Sequence, residues 1–137
     1  MKTKTPKSHC PINFALEIFG DKWTLLIIRD LLFLGKKYYG DFINSEEGIA
    51  TNILADRLNL LEREGFVQKR GDAAHGSKYV YKPTQKAVDL ISMLLEMILW
   101  SAKHDPHTAA PKQFIARLQR DKKAVIKEFT ASIAKNF

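Results

Sequence analysis

Cys10 is the single cysteine of this 137-residue sequence, and its thiol is the side chain best suited to nucleophilic chemistry. Pro11 follows it and favours a helix start there, because proline suits the first helical position. Helical amide groups, together with the nearby cations of Lys7, His9 and Lys22, would favour the reactive thiolate. Oxidation would then yield an intersubunit disulfide, a mixed disulfide or an adduct. Cys10 is therefore a candidate redox sensor, with an inert packing residue as the open alternative.

Two other patterns are weaker candidates for chemistry. The loop 71–78 has the glycines and lysine of a phosphate-binding loop, but Ser77 precedes Lys78 and a strand follows, whereas that motif needs the reverse order and a helix. His104 and His107 flank a predicted linker, and a zinc site would need three or four converging ligands. No serine-hydrolase or zinc-protease motif is present. We therefore predict no cofactor, no metal and no enzymatic activity.

A polar helical stripe points instead to DNA. The segment 51–63 is predicted as a helix whose Leu54, Leu58 and Leu61 share one face and meet the core. The opposite face carries Asn52, Asp56, Asn59 and Arg63. We predict base contacts from Thr51, Asn52 and Asn59, and a phosphate contact from Arg63. Thr51 is also a candidate N-cap of this helix. Arg57 lies at the edge of the core face and is as well suited to pairing with an acidic neighbour as to contacting DNA. An ordinary amphipathic helix with a solvated face is the alternative, and only the surrounding elements favour the first interpretation.

Those elements occur in a recognisable order. Apolar periodicity and breaker residues predict helices at 11–19, 23–33 and 40–43, a turn at 45–48, the helix 51–63, and strands at 66–70 and 78–82. A long helix capped by Thr84 is expected to run to about Lys103, and a last helix to span 112–137. Helix, turn, helix and a two-stranded hairpin are the order of a winged helix-turn-helix. The predicted fold is therefore mainly α (α+β), with additional C-terminal helices.

The loop 71–77 between the strands is the predicted wing. Wings reach phosphates or the minor groove through basic side chains. The residues predicted to make phosphate or wing contacts are Lys36, Lys37, Arg63, Arg70, His75 and Lys78.

The positive charge of the chain lies mainly at its two ends. The formal net charge is +7, but residues 1–10 contribute +3 and residues 103–137 contribute +5, so the middle of the chain carries −1. Contacts with double-stranded DNA would then depend on local basic clusters.

The predicted organisation is a flexible basic N-terminus at 1–9, a DNA-binding domain at 10–103 and a dimerisation extension at 104–137. The longest apolar candidate run, 25–34, contains Arg29 and Asp30 and is shorter than the ~18 residues of a membrane span. We predict a cytoplasmic protein without a signal peptide or membrane contact.

The excess apolar surface predicts a homodimer. Between Leu90 and Trp100 only Ser92 and Glu96 are polar, which is more apolar surface than one domain is expected to cover. The predicted interface residues are Leu94, Ile98, Phe114, Leu118 and Phe129.

The sequence resembles the HxlR-type transcriptional regulators, a branch of the MarR-like winged-helix proteins. The matching segments are Cys10-Pro11, Gly20 to Leu31, Gly48 to Leu61, Glu64 to Val67 and Tyr79 to Thr84. The resemblance implies a homodimer joined through its terminal helices, a two-fold-symmetric operator, and in some members a sensing cysteine at the position of Cys10. Ala50 and Asn52 stand where many members carry Ser and Arg or Lys. Because Asn suits adenine whereas Arg prefers guanine, the operator cannot be copied from relatives.

Two alternatives remain at this point. One is a regulator whose primary event is the binding of a small molecule or electrophile, with a ligand between the long helix and the core, beside Trp23, Phe33 and Trp100. The other is a winged helix used only for protein contacts.

Overall fold

The computed structural model describes residues 7–137, so most of the predicted flexible N-terminus lies outside the described residues. Eight helices and one hairpin follow in the order α1 (Pro11–Phe19), α2 (Lys22–Phe33), α3 (Tyr39–Ile43), α4 (Thr51–Arg63), β1 (Val67–Gly71), β2 (Tyr79–Pro83), α5 (Gln85–Val88), α6 (Ile91–His104), α7 (Lys112–Arg120) and α8 (Lys122–Asn136). The strands pair antiparallel, from Val67 opposite Pro83 to Gly71 opposite Tyr79. The predicted mainly helical winged helix-turn-helix is confirmed.

Helix α2 is the central element of the core. Its apolar residues extend most of the way round, and Ile28 and Leu31 are almost completely buried. It packs against α1, α4, α5 and α8. The carboxylate of Asp21 caps the N-terminus of α2 by accepting from the backbone N–H groups of Trp23 and Thr24.

Helix α4 has the predicted bounds and the predicted buried face. Leu54, Leu58 and Leu61 are at most 1% exposed, so this face is anchored in the core. Gly48 (φ 73°) and Gly65 (φ 81°) flank the helix in left-handed backbone that favours glycine. β1 begins one residue later than predicted because the Phe66 N–H donates to the Leu61 carbonyl and still belongs to the turn that ends α4.

The predicted long helix from Thr84 to Lys103 is wrong in one respect, because it is two helices. The chain turns between α5 and α6, where the N–H of Leu90 donates to the carbonyl of Ala87. The Thr84 hydroxyl does not cap α5. It donates to the carbonyls of Gly65 and Phe66 and joins this segment to the end of α4.

The predicted last helix is also divided, at Asp121, whose non-helical backbone separates α7 from α8 and whose carboxylate accepts from the Ala124 N–H. α7 packs on α6, and α8 packs on α2 and α6. Leu118 is 1% exposed and Leu94 is 6% exposed within this single chain. The side chains of these two residues are therefore largely covered within the single chain, and their place in a dimer interface stays a prediction.

Candidate nucleic-acid interface

The outer face of α4 is a row of exposed polar residues. Thr51, Asn52, Asn59 and Arg63 are all exposed, and Asn52 and Asn59 are separated by about two helical turns. Thr51 does not cap the helix. It is the first helical residue, and its carbonyl accepts a hydrogen bond of 3.0 Å from the Tyr39 hydroxyl.

Arg57 on the edge of α4 pairs with acidic neighbours. Its guanidinium lies 2.8 Å from the carboxylate of Asp56 and 3.5 Å from that of Asp21. Arg57 therefore ties α4 to the start of α2, and Asp56 is partly neutralised on the face that carries Asn52 and Asn59.

An ion-pair network holds the turn that precedes α4. Arg29 donates two hydrogen bonds of 2.7 and 2.8 Å to Glu47, and it also binds the buried carboxylate of Asp30. Lys36 lies 3.1 Å from the second oxygen of Asp30. The Arg29 guanidinium lowers the pKa of Glu47 to about 2, so the pair stays ionised at neutral pH. Sequence reasoning missed this network, although an Arg-Asp pair within an apolar helix was its visible sign.

The wing is attached to the N-terminus of α3 through Tyr38. The Tyr38 hydroxyl donates to Asp72 at 2.6 Å, a bond that raises the pKa of the tyrosine and lowers that of the aspartate. The Lys78 ammonium lies 5.1 Å from the centre of the Tyr38 ring, and His75 approaches the same ring edge-on. Asp72 also caps the turn at the wing tip by accepting from the Ala74 N–H.

The predicted phosphate contacts are divided among three regions. Arg70, His75 and Lys78 lie exposed on the wing and its strands. Lys36 is engaged with Asp30, and Lys37 lies near the end of α8, 3.4 Å from the Asn136 carbonyl. Three of the six predicted residues thus lie on the wing and its strands, Arg63 lies on α4, and Lys36 and Lys37 precede α3.

Cys10 is exposed at the start of α1. Backbone N–H groups of Asn13 first, and then of Ile12, lower the pKa of its thiol. The predicted favourable helix terminus is thus present, and the backbone amides rather than the neighbouring cations produce the shift.

Exposed apolar side chains lie on α1 and α6. Ile12, Phe14 and Leu16 are 71%, 58% and 57% exposed, and Met97 and Trp100 are 47% and 67% exposed. Of the other predicted interface residues, Ile98, Phe114 and Phe129 are partly buried. Phe129 packs against Phe33, with ring centres 4.6 Å apart, and against Phe114.

A cavity of about 290 Å³ lies between α2, α6 and residues 108–110. Phe33 lines it together with Leu25, Leu94 and Met97, whereas Trp23 and Trp100, which were expected there, are not among its lining residues.

Within residues 7–137 no group of His, Cys, Asp and Glu side chains is arranged to hold a metal ion. In the same part of the chain, no helix has the length and apolarity that crossing a membrane requires.

Comparison with known proteins agrees with this geometry. The family model described as HxlR-like helix-turn-helix matches residues 18–109. The HTH-type transcriptional regulator Rv3095 of Mycobacterium tuberculosis is 28% identical over 100 residues, which are 73% of this chain and 62% of that relative. The chain thus spans less than two thirds of the length of this relative.

Solved structures give the same result. PA1607, described as a candidate transcription factor, superposes with a TM-score of 0.68 at 32% identity over 77% of this chain and 73% of its own. The redox regulator HypR in its reduced form gives a TM-score of 0.59 at 26% identity over 70% of this chain and 94% of its own. The family and its named members are transcriptional regulators and not enzymes, as predicted. With two thirds of its length matched by the family model and its helix-turn-helix geometry in place, the chain belongs to the HxlR-like helix-turn-helix family.

Proposed function

We propose that the protein is a homodimeric, sequence-specific transcriptional regulator that binds double-stranded DNA in the cytoplasm. In this proposal α4 enters the major groove and the wing 71–77 lies near phosphates or the minor groove. The observation that carries it is the exposed polar face of α4, on a helix whose other face is anchored by Leu54, Leu58 and Leu61. Because the Arg29–Glu47 pair holds the preceding turn, this face has a defined orientation.

Within this proposal the residues divide by chemistry. Thr51, Asn52 and Asn59 contact base edges, since their short polar side chains are exposed on the face of α4 that enters the groove. Arg63, Arg70, His75 and Lys78 contact phosphates. Lys36 and Lys37 are left out of this proposal, because their ammonium groups lie beside the Asp30 carboxylate and the Asn136 carbonyl.

Replacing Asn52 with alanine should weaken binding to the operator by about 1–3 kcal/mol, because a bidentate base contact is lost. Binding to unrelated DNA should change little, since non-specific affinity comes from phosphate contacts. The measurement is fluorescence anisotropy with duplexes tiled across the DNA upstream of the protein's own gene, each paired with a scrambled duplex of equal composition.

Gln113→Ala is the matched control, because it removes an exposed carboxamide from α7, away from α4. Equal losses on operator and scrambled DNA for Asn52→Ala would assign Asn52 to positioning or folding instead of base reading. If wild-type protein binds no tiled duplex more tightly than its scrambled partner, the sequence-specific function is wrong.

The dimer in this proposal forms through the apolar side chains that the single chain leaves exposed on α1 and α6. Phe14→Asp should shift the protein from dimer to monomer in sedimentation equilibrium, since a carboxylate cannot be buried there without a partner. Leu34→Asp is the control, because Leu34 is as exposed as Phe14 but lies on neither helix. An unchanged dimer in Phe14→Asp, or an equal loss in both variants, would contradict this interface.

A second candidate function is thiol-based sensing at Cys10. It is favoured by the exposure of the thiol and its lowered pKa, and the similar protein HypR is a redox regulator. The step would be alkylation or oxidation of the thiolate by an electrophile or oxidant, with loss of the thiol proton to water. The signal would reach DNA through the spacing of the two α4 helices, which must match ~34–36 Å or a multiple of it for both half-sites to be bound.

The thiol should be alkylated by iodoacetamide with a pH midpoint below the ordinary ~8.5. The same chain in denaturant is the control, because unfolding removes the amide groups that stabilise the thiolate. Cys10→Ser should bind DNA normally but lose any response to diamide. A midpoint equal to that of the unfolded chain, with unchanged DNA binding after full alkylation, would make Cys10 a plain surface residue.

A further inference from the structure

A cleft of about 290 Å³ lies between the N-terminus of α3 and the two strands of the wing. It is lined by four tyrosines and two lysines, together with Ser77: Tyr38, Tyr39, Tyr79, Tyr81, Lys69 and Lys78. None of these residues carries a carboxylate, although the Asp72 carboxylate accepts a hydrogen bond from the Tyr38 hydroxyl, so the lining itself offers positive charge and hydroxyl groups. Such a lining suits an anion that also has apolar surface.

The two lysines are held by aromatic rings and not by ion pairs. The Lys69 ammonium lies 4.6 Å from the centre of the Tyr79 ring, and that of Lys78 lies 5.1 Å from the centre of the Tyr38 ring. Cation–π contacts orient an ammonium group without neutralising it. Within residues 7–137 neither lysine forms a salt bridge, and both are exposed. Their charge is therefore available to a ligand.

The hydroxyl groups of the cleft are not equivalent. The Tyr38 proton is donated to Asp72, and the Tyr39 proton to the Thr51 carbonyl. A phosphate oxygen only accepts hydrogen bonds, so these two tyrosines can shape the cleft but cannot donate to it. Tyr81 is buried, whereas Tyr79 is 54% exposed, so the hydroxyl groups of Tyr79 and Ser77 are the donors that a ligand can reach.

The position of the cleft follows from Tyr39. Its hydroxyl binds the carbonyl of Thr51, the first residue of α4, so the cleft lies beside the N-terminus of that helix. If α4 lies in the major groove, the DNA strand that borders the groove passes the N-terminus of α4. Backbone phosphates of that strand are then the nearest anions.

We propose that this cleft binds a backbone phosphate of the DNA duplex, with Lys69 and Lys78 supplying charge and Tyr79 and Ser77 supplying hydrogen bonds. The inference rests on the proposed DNA-binding function and adds Lys69, Ser77 and Tyr79, which sequence reasoning did not include. Tyr38 and Tyr39 are positioning residues that join the cleft to the wing and to α4. Bases that stay stacked within the duplex cannot reach the tyrosine rings, so the phosphate is the group recognised.

The test measures the affinity of the full chain for a random-sequence duplex over a range of salt concentrations. Lys69→Gln should reduce the slope of log affinity against log salt by ~0.9, as expected when one phosphate contact is lost. Lys86→Gln is the matched control, since the Lys86 ammonium also lies 4.6 Å from a ring centre, that of Phe66, but outside the cleft. Tyr79→Phe should weaken binding several-fold with an unchanged slope, because the lost hydroxyl is uncharged.

Each other outcome contradicts a stated part of the proposal. If wild-type protein binds the duplex but Lys69→Gln and Lys86→Gln have equal slopes, the phosphate cleft is wrong while the DNA-binding function stands. If wild-type protein binds no duplex, the DNA-binding function is wrong and the cleft assignment is wrong with it. If Lys69→Gln weakens only binding to single-stranded DNA, the cleft stacks unpaired bases and does not hold duplex phosphate. Thermal unfolding of all variants checks that they fold.

Discussion

Replacing Leu118 with alanine is expected to lower the free energy of unfolding by about 3–5 kcal/mol, because a fully buried leucine loses its transfer energy and leaves a cavity. Leu118 is 1% exposed in the single chain and lies on α7, which packs against α6 and α8. Urea denaturation followed by circular dichroism measures the effect. The result decides whether the C-terminal helices belong to the folded core of one chain.

Leu34→Ala is the control with the same chemical change, because Leu34 is 60% exposed and should cost less than about 0.5 kcal/mol. Repeating both experiments over a range of protein concentrations shows whether Leu118 stabilises the core of the single chain or the dimer interface. If the loss caused by Leu118→Ala grows as the protein is diluted, Leu118 stabilises the dimer, as the sequence had suggested, and its burial in one chain is not the main effect.

Replacing Asp30 with asparagine is expected to cost about 3 kcal/mol, near the lower end of the range for breaking a buried ion pair. Asp30 is 2% exposed and binds both Arg29 and Lys36, so its loss leaves two cations with fewer partners. The cost stays near the lower end because Arg29 keeps Glu47 and the Lys36 side chain retains some solvent contact.

Asp56→Asn is the matched control, since Asp56 pairs with Arg57 at the surface with 58% of its side chain exposed. It should change stability by less than about 1 kcal/mol. Because Asp30 also fixes the orientation of the Arg29 guanidinium that binds Glu47, Asp30→Asn should loosen that pair and increase amide hydrogen exchange in the turn 45–48. Equal stability changes in the two variants, or unchanged exchange in that turn, would show that the network does not hold the turn.

The regular elements could be predicted where the local pattern and the tertiary environment favour the same structure. The bounds of α4 agree with prediction because Leu54, Leu58 and Leu61 recur at helical spacing and Gly48 and Gly65 end the helix on both sides. Helix α2 likewise begins within one residue of its predicted start and ends at its predicted last residue. The exposed stripe from Asn52 to Arg63 then follows directly from the helical period.

The missed features depend on residues that are distant in sequence. The chain from Gln85 to His104 has no glycine or proline, so its division at Asp89 and Leu90 is not visible in the local pattern. Leu94 and Leu118 are predicted dimer-interface residues whose side chains are buried within the single chain. The division of the chain at Asp121 lets α7 pack on α6, and α8 on α2 and α6, so that the C-terminal helices cover part of the apolar surface.

The sequence by itself determined where most helices and both strands lie, which face of α4 is polar, and that a helix begins beside Cys10, because these properties depend on local spacing and on neighbouring residues. Only the tertiary structure decided which charged side chains remain available to a ligand and which are paired within the chain. It joined Arg29 to Glu47 across 18 positions, engaged Lys36 with Asp30, and set Lys69 and Tyr79 beside α3 in one cleft. The physical reason is that an ion pair or a cleft requires side chains to meet in space, and only the packing of α2, α4 and the wing brings them together.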